Sequence, residues 1–398
     1  MVSPLDFQLS DGTSLRDLLP GVEEVAYFQT SGLSLKLQPA LEAAEGWTRF
    51  QAQGPARPEI IAAVLEAVED ARCKAARALG AEADEIALVE NATVGINIVA
   101  HGIDWQPGDR VLLTADEHPG NRIPWYNIAG RYGVALDYLD VAGDDDADLL
   151  RRFEAMLTPA TRLIAVSHVS RRTGRRLPGA AMTEIGHRYG IPVLLDGAQA
   201  FGAIPVDVRA LNCDFYVFSG HKYILGPQGT GGFYVRRDRL ETLKPSWVGS
   251  HSQSWMDDAG GMTLHDAARR FEFGTRNLAD QIGFGAALDV WEQAGWDQLF
   301  TGIAARTDRL KAMLADVPGL ELKTPRSYEQ SSGIVTARLP GVDARALCSR
   351  LLEADRILIA PIEGEPGSIR ISVHVFNTDE EIRRLIDDLR RHQHEGRP

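Results

Sequence analysis

Five short segments without a charged residue punctuate the chain between residues 86 and 218: residues 86–89, 111–113, 163–166, 193–195 and 215–218. Each is only three or four residues long, and the stretches between them carry helical spacing. Short apolar runs of this kind predict strands buried on both faces. The clearest helix lies over 58–79, opened by Pro58 and Glu59, with Ile61, Val64, Leu65 and Val68 at helical spacing and Gly80 as the stop. Strands alternating with helices imply a mostly parallel sheet covered on both faces, whose ligands sit beyond the carboxyl ends of the strands. A further short strand is expected at 25–28, before a turn at Gly32. The run from Gly226 to Gly232 lacks the Lys-Ser or Lys-Thr of a nucleotide loop and reads as a tight turn into an antiparallel strand.

The second half changes character. Helical patterns near 280–297 and 298–315 are separated at Gly295. They are followed by shorter elements at 333–336, 343–354, 368–372 and 379–392. The expected organisation is an arm over 1–24, a large α/β domain over 25–297 and a small α+β domain over 298–398. Residues 246–270 have no periodicity and read as a polar loop, of the kind that serves as a lid or a subunit contact. The run Asp144-Asp145-Asp146 reads as a solvated lead into a helix.

Composition narrows the classes. The chain has 398 residues, 44% of them hydrophobic and 24% charged, enough for a substantial core. A net charge of -13 disfavours nucleic acid and anionic membrane as partners. No apolar run approaches the roughly 20 residues of a membrane span, and the first residues lack the pattern of a secretory signal. Cys73, Cys213 and Cys348 stand at unrelated spacings, suggesting neither a disulfide framework nor a metal site. A soluble, cytoplasmic protein is expected.

The candidate chemistry lies at strand ends. The 215–218 strand runs into Ser219-Gly220-His221-Lys222, delivering a lysine where burial lowers its pKa and lets the amine condense with an aldehyde. Upstream, the 193–195 strand ends in Asp196-Gly197-Ala198-Gln199, and the two ends can face each other across one pocket. A lysine that forms a Schiff base and an aspartate that holds a pyridinium nitrogen are the protein groups that pyridoxal phosphate requires. Asn91-Ala92-Thr93-Val94-Gly95 follows a strand and opens a helix. This is either an ordinary helix cap or a phosphate site.

Taken together, Asp196-Gly197-Ala198-Gln199-Ala200, the run from Cys213 to Lys222 and Gly226-Pro227 resemble the class V aminotransferase group of fold-type I pyridoxal-phosphate enzymes. That group includes cysteine desulfurases, selenocysteine lyases and isopenicillin N epimerase, and the resemblance runs from about residue 25 to the C-terminus. It implies that the large domain carries a seven-stranded sheet. Lys222 is then the Schiff-base lysine and proton-transfer base, Asp196 the partner of the pyridine nitrogen, and Gln199 the partner of the phenolic oxygen. His118, in Glu117-His118-Pro119-Gly120-Asn121, stacks on the ring. Thr93, Ser219 and His221 bind the phosphate, and Ala92 is a further cofactor-binding residue. Arg370 grips the substrate carboxylate, and Thr275 completes the phosphate site of a neighbouring subunit in a homodimer.

Two departures bear on the reaction. Desulfurases carry a nucleophilic cysteine on a loop just before the carboxylate-binding arginine; here residues 359–367 are shortened and contain none. Arg171, in His168-Val169-Ser170-Arg171, stands where the family commonly has asparagine. It either faces the site, near the Schiff base or a second acidic group of the substrate, or points to solvent with Arg172, Arg175 and Arg176. The expected activity is β-elimination from a cysteine S-conjugate, a bulky one as in secondary metabolism, without a persulfide cysteine. Oxidative decarboxylation-deamination of such a conjugate, and epimerisation or transamination of an amino acid, are the alternatives. Epimerisation needs a second acid/base, for which the sequence offers only His118. A relative that binds the cofactor without turnover is the reading from another class.

Overall fold

The structure is a computed structural model and describes residues 7–143 and 145–395. Part of the expected arm (1–6), Asp144 of the acidic run and the last three residues of the C-terminal region lie outside the described residues.

A seven-stranded sheet forms the centre of the larger unit. Its order is Ile86–Val89, Gly231–Val235, Phe215–Ser219, Val193–Asp196, Thr161–Ser167, Arg110–Thr114 and Ala135–Leu139. Gly231–Val235 runs antiparallel to both neighbours, and every other pair is parallel. Successive side chains point to opposite faces. Leu88, Leu112, Ile164, Leu195 and Tyr216 therefore join one core, while Val89, Leu113, Ala165, Leu194 and Val217 join another. Both faces are covered, which is why these strands show no polar alternation in the sequence. Each fully buried aliphatic or aromatic side chain contributes about 1.5–3 kcal/mol through the water it sheds.

The helix Pro58–Leu79 ends on Gly80, whose φ of +68° makes the left-handed cap. Two elements escape a periodicity reading. The helix Gln38–Gln51 buries only Ala40 and Ala44, which make no visible apolar stripe. The edge strand Ala135–Leu139 buries only Leu139 fully and carries Asp137 and Tyr138. Residues 246–270 do not form the irregular loop expected of them. Gln253–Met256 and Met262–Leu264 pair as an antiparallel hairpin, and Ala268–Phe271 is a 3-10 turn. Most of the hairpin's residues are exposed, so burial imposes no alternation on its sequence.

The C-terminal unit has its own sheet, ordered Glu321–Leu322, Ile334–Arg338, Ser368–Ser372 and Ala360–Pro361, all antiparallel. Leu310, Val335, Leu351, Ile371 and Leu385 fill its core. Ala26 and Phe28 pack into that same core, because Ala26–Tyr27 pairs in parallel with Ile357–Leu358.

The loop after Thr161–Ser167 fastens the two units together. Arg176 N–H donates to Gln330 O (2.9 Å), Thr324 Oγ1 to Thr173 O (2.6 Å), Ser332 Oγ to Gly174 O (3.2 Å), and Thr336 Oγ1 to Arg172 O. Gly174 sits at φ +72°, and a Cβ there would come 2.1 Å from Ile334 O. Gly174→Ala is expected to lower stability by about 1–3 kcal/mol, combining left-handed strain with that clash. A urea midpoint equal to that of the parent chain would refute this docking.

Candidate active site

The carboxyl ends of the central strands open into a cavity of about 530 Å³ lined by Ser167, Asp196, Ser219 and Lys222. Asp196 ends its strand, paired with Ser167 on one side and Val217 on the other. A non-helical turn follows rather than a helix, and Ala198 N–H donates to Asp196 Oδ1 at 2.9 Å. From below, His168 N–H donates to Asp196 O (2.9 Å), while His168 Nδ1 meets Tyr216 Oη at 3.1 Å. Burial raises the Asp196 carboxyl above its ordinary range, opposed by the Ala198 N–H and the charge of Lys222.

Lys222 lies three residues beyond its strand, on a turn closed by Gly220 N–H to Thr230 O (2.8 Å), Gly226 N–H to Gly220 O (2.9 Å) and Leu225 N–H to Lys222 O (3.0 Å). Leu225 holds φ at +60°, a conformation that costs a non-glycine residue roughly 1–2 kcal/mol. Burial brings the Lys222 ammonium down to about 8; Asp196 acts upward, while Arg370 and Arg171 act further downward. That lowering raises the neutral fraction near neutral pH well above an ordinary lysine's, as a nucleophilic amine or a proton acceptor needs.

A third wall is the amino end of the helix Ala92–Gly102, whose cap is the Asn91 side chain accepting from Val94 N–H at 3.1 Å. Ala92, Thr93, Ser219 and His221 line the cavity around this end, where free amides and the helix dipole favour an anion. His221 Nδ1 is buried without a hydrogen-bond partner, and so is Gln199 Oε1; Gln199 Nε2 donates to Ser31 O at 2.9 Å. Desolvation and the charge of Lys222 bring His221 down to about 4, so the ring is neutral. His118 stands at the open mouth, where desolvation by the walls and the charges of Lys222, Arg171 and Arg370 hold it near about 4 as well. Gly120 N–H donates to His118 Nδ1 (2.9 Å), which leaves the ring proton on Nε2.

Arg370 enters from the strand Ser368–Ser372, and its guanidinium lies 3.3 Å from Arg171 O and 3.4 Å from Gln29 Oε1. Arg171 lines the same cavity. Its three basic neighbours do not gather with it in solvent: Arg172 donates to Glu365 (2.8 Å), Arg175 is buried against Val141 O and Asp146, and Arg176 is half-buried. Thr275 is not in this cavity. It lines a second one of about 660 Å³, whose wall shares Asn91 and Thr93 with the first. No cysteine lines the first cavity: Cys213 is buried at the base of a strand, while Cys73 and Cys348 lie within helices. Among the described residues, no three or more His, Cys, Asp or Glu side chains group to hold a metal, and no helix is long and apolar enough to cross a membrane.

Glu117 carries weight that its sequence position does not signal. It is buried and accepts from Thr114 Oγ1 (2.8 Å), Asn121 Nδ2 (2.8 Å), Ser167 N–H (2.8 Å) and Ser167 Oγ (2.6 Å). These bonds clamp the His118 turn to the cavity wall at Ser167. Burial pushes its carboxyl up to about 7. Only its place immediately before His118 hinted at a role.

The apoprotein should react with a small aldehyde, trapped by cyanoborohydride, at Lys222 before its other lysines, the rate rising with pH and levelling off above about 8. Asp196→Asn removes the charge that holds Lys222 up and should move this midpoint lower. Peptide mass mapping across pH reads both; a Lys222 profile no different from the surface lysines would contradict the burial described.

Residues 26–385 match the Aminotransferase class-V family. The chain is 36% identical over 347 residues to the probable cysteine desulfurase 1 of Mycobacterium leprae, covering 84% of this chain and 56% of that protein. It spans about half the length of the mycobacterial desulfurases that it matches. It is 35% identical over 355 residues to the isopenicillin N epimerase of Streptomyces clavuligerus, covering 86% and 89% respectively. In structure it resembles the cystine C–S lyase C-DES in complex with its reaction product, cysteine persulfide. The TM-score is 0.87 at 30% identity, over 94% of this chain and 99% of that one. By sequence and by fold, the chain belongs to the class-V aminotransferase family.

Proposed function

We propose that the cavity holds pyridoxal 5'-phosphate and that the chain is a lyase, releasing a thiol from a cysteine-derived amino acid without a persulfide cysteine. The residues fit that cofactor. The anion-binding helix end with Ser219 and His221 would hold its phosphate, Gln199 lines the cavity where its amide could meet the ring's phenolic oxygen, and Asp196 would hold the ring nitrogen. His118 suits the ring face and Lys222 the covalent anchor. When bound, the cofactor supplies an electron sink for the pair left at the substrate's α-carbon.

The chain's own residues then have separate tasks. Arg370 takes the α-carboxylate in a planar fork and so fixes which substrate bond faces Lys222. The Lys222 amine, held near about 8, accepts the α-proton. The sulfur leaves from the β-carbon with a proton as a thiol, and water converts the remainder to pyruvate and ammonia. Asp196, sealed from solvent, holds its side of the ring without competing water. Thr275 lies outside its own protomer's cavity, which supports a role in a neighbouring copy's phosphate site within a homodimer.

The observation that carries the lyase reading is the loop 359–367. It has no cysteine, it returns through the strand Ala360–Pro361, and Glu365 anchors it to Arg172. The cystine C–S lyase among the structural neighbours supports the same reaction class. A second reading, epimerisation, draws support from the streptomycete epimerase, which the chain covers almost throughout.

Purified protein should absorb in the visible range, lose that band to borohydride, and lack it as Lys222→Ala. With a panel of S-substituted cysteines, equimolar thiol and pyruvate should form, and Lys222→Ala should slow this by about 10²–10⁴-fold, the usual worth of a proton-transfer group. An inverted α-centre without pyruvate would replace the lyase by the epimerase. Amine exchange would indicate transamination, and aldehyde with carbon dioxide the oxidative decarboxylation-deamination.

A further inference from the structure

Among the ionisable side chains that line the cavity, Asp196 is the one carboxylate, facing three cations: Lys222, Arg171 and Arg370. The helix end with Ser219 and His221 provides for one anion, and Arg370 provides for an α-carboxylate. One cation, Arg171, is left over. Its guanidinium makes no hydrogen bond or ion pair among the described residues, and its Nε is buried without a partner. Arg370 Nε is in the same condition. The acids that act on Arg171 are engaged or distant: Asp116 accepts from Ser170 Oγ at 2.9 Å, and Glu363, on the 359–367 loop, forms no ion pair with it. Arg172 and Arg122 add further positive charge from its flanks. A half-buried guanidinium stays charged, and leaving it unpaired away from water is costly.

We propose that Arg171 is a specificity-determining residue that binds a second anionic group, so that the substrate is an amino acid whose side chain carries a carboxylate, sulfinate or sulfonate. This rests on the reading above that Arg370 takes the α-carboxylate of an amino acid. Arg370 Nη1 lies 3.3 Å from the main-chain oxygen of Arg171, both side chains line the one cavity and the two charges act on each other, so one substrate can meet both. The loop 359–367 is anchored to Arg172 through Glu365, and its Glu363 acts on the Arg171 charge without forming an ion pair with it. A neutral substituent on the substrate sulfur would leave Arg171 as it now stands, buried in part and unmatched. A terminal acid would give it a planar, two-point partner.

Succinate and glutarate, compared with butyrate and valerate of equal carbon number, test this without turnover. Calorimetry on the wild-type apoprotein and holoenzyme should find each diacid bound about tenfold or more tighter than its monoacid, as a matched charge pair requires. Arg171→Gln should abolish that difference while the monoacids still bind. In turnover, the same substitution should lower kcat/KM for S-carboxymethylcysteine and S-carboxyethylcysteine more than for the corresponding amides or S-alkyl cysteines. Equal binding of diacid and monoacid by the wild type, or a diacid preference that survives Arg171→Gln, would overturn the proposal. The wild-type comparison needs no variant to fold. A wild type that shows no visible absorbance would fail the cofactor reading alone, because the diacid preference is measured on the apoprotein as well.

Discussion

The site depends on one constraint: a lysine amine held out of water beside a single carboxylate. Lys222 without Asp196 would have nothing to offset its lost hydration, and its pKa would fall further than about 8. Asp196 without Lys222 would be a still more reluctant anion in a buried position. The pair is tolerated because each charge acts favourably on the other and because main-chain hydrogen bonds hold the turns that carry both. Gly197 N–H donates to Val217 O, and the Lys222 turn is closed by three main-chain bonds. The same turn holds Leu225 in a left-handed conformation.

A second constraint is that the cavity has two makers. Strand ends of the large sheet bring Ser167, Asp196 and Ser219, with Lys222 just beyond, whereas the C-terminal sheet brings Arg370. Their separation is set by the 170–176 loop, hydrogen-bonded to Gln330, Thr324, Ser332 and Thr336. Glu117 has a comparable office on the opposite wall, tying the His118 turn to Ser167 through four accepted hydrogen bonds. Small errors in the first clamp would move the Arg370 charge relative to Lys222, where electrostatic effects are steep, and errors in the second would move the neutral His118 ring.

Legibility in the sequence followed burial. The strands at 86–89, 193–196 and 215–219 lie in a sheet covered on both faces, so every residue there answers to the same demand and the apolar runs stand out. Asp196, Lys222 and Arg370 were visible because each breaks or ends such a run. The edge strand Ala135–Leu139, the helix Gln38–Gln51 and the hairpin at 253–264 answer to weaker demands, and their patterns are correspondingly faint. Arg171 was legible as a departure from a familiar motif, but not in direction. Four arginines in six positions look like one basic cluster until the partners of Arg172 and Arg175 are found on distant segments.

By itself, the sequence determined the alternation of strand and helix, the strand ends where chemistry collects, and the lysine–aspartate pair that defines the class of reaction. These are local: a strand, its end and its turn are specified by neighbouring residues. Only the tertiary structure decided that Arg171 and Arg370 share one cavity, that Glu117 is a buried clamp, that Thr275 lines a second cavity rather than the one holding Lys222, and that Ala26 and Phe28 belong to the C-terminal core. Each of those depends on what packs against a residue from far along the chain, and desolvation and charge pairing are properties of that company rather than of the residue.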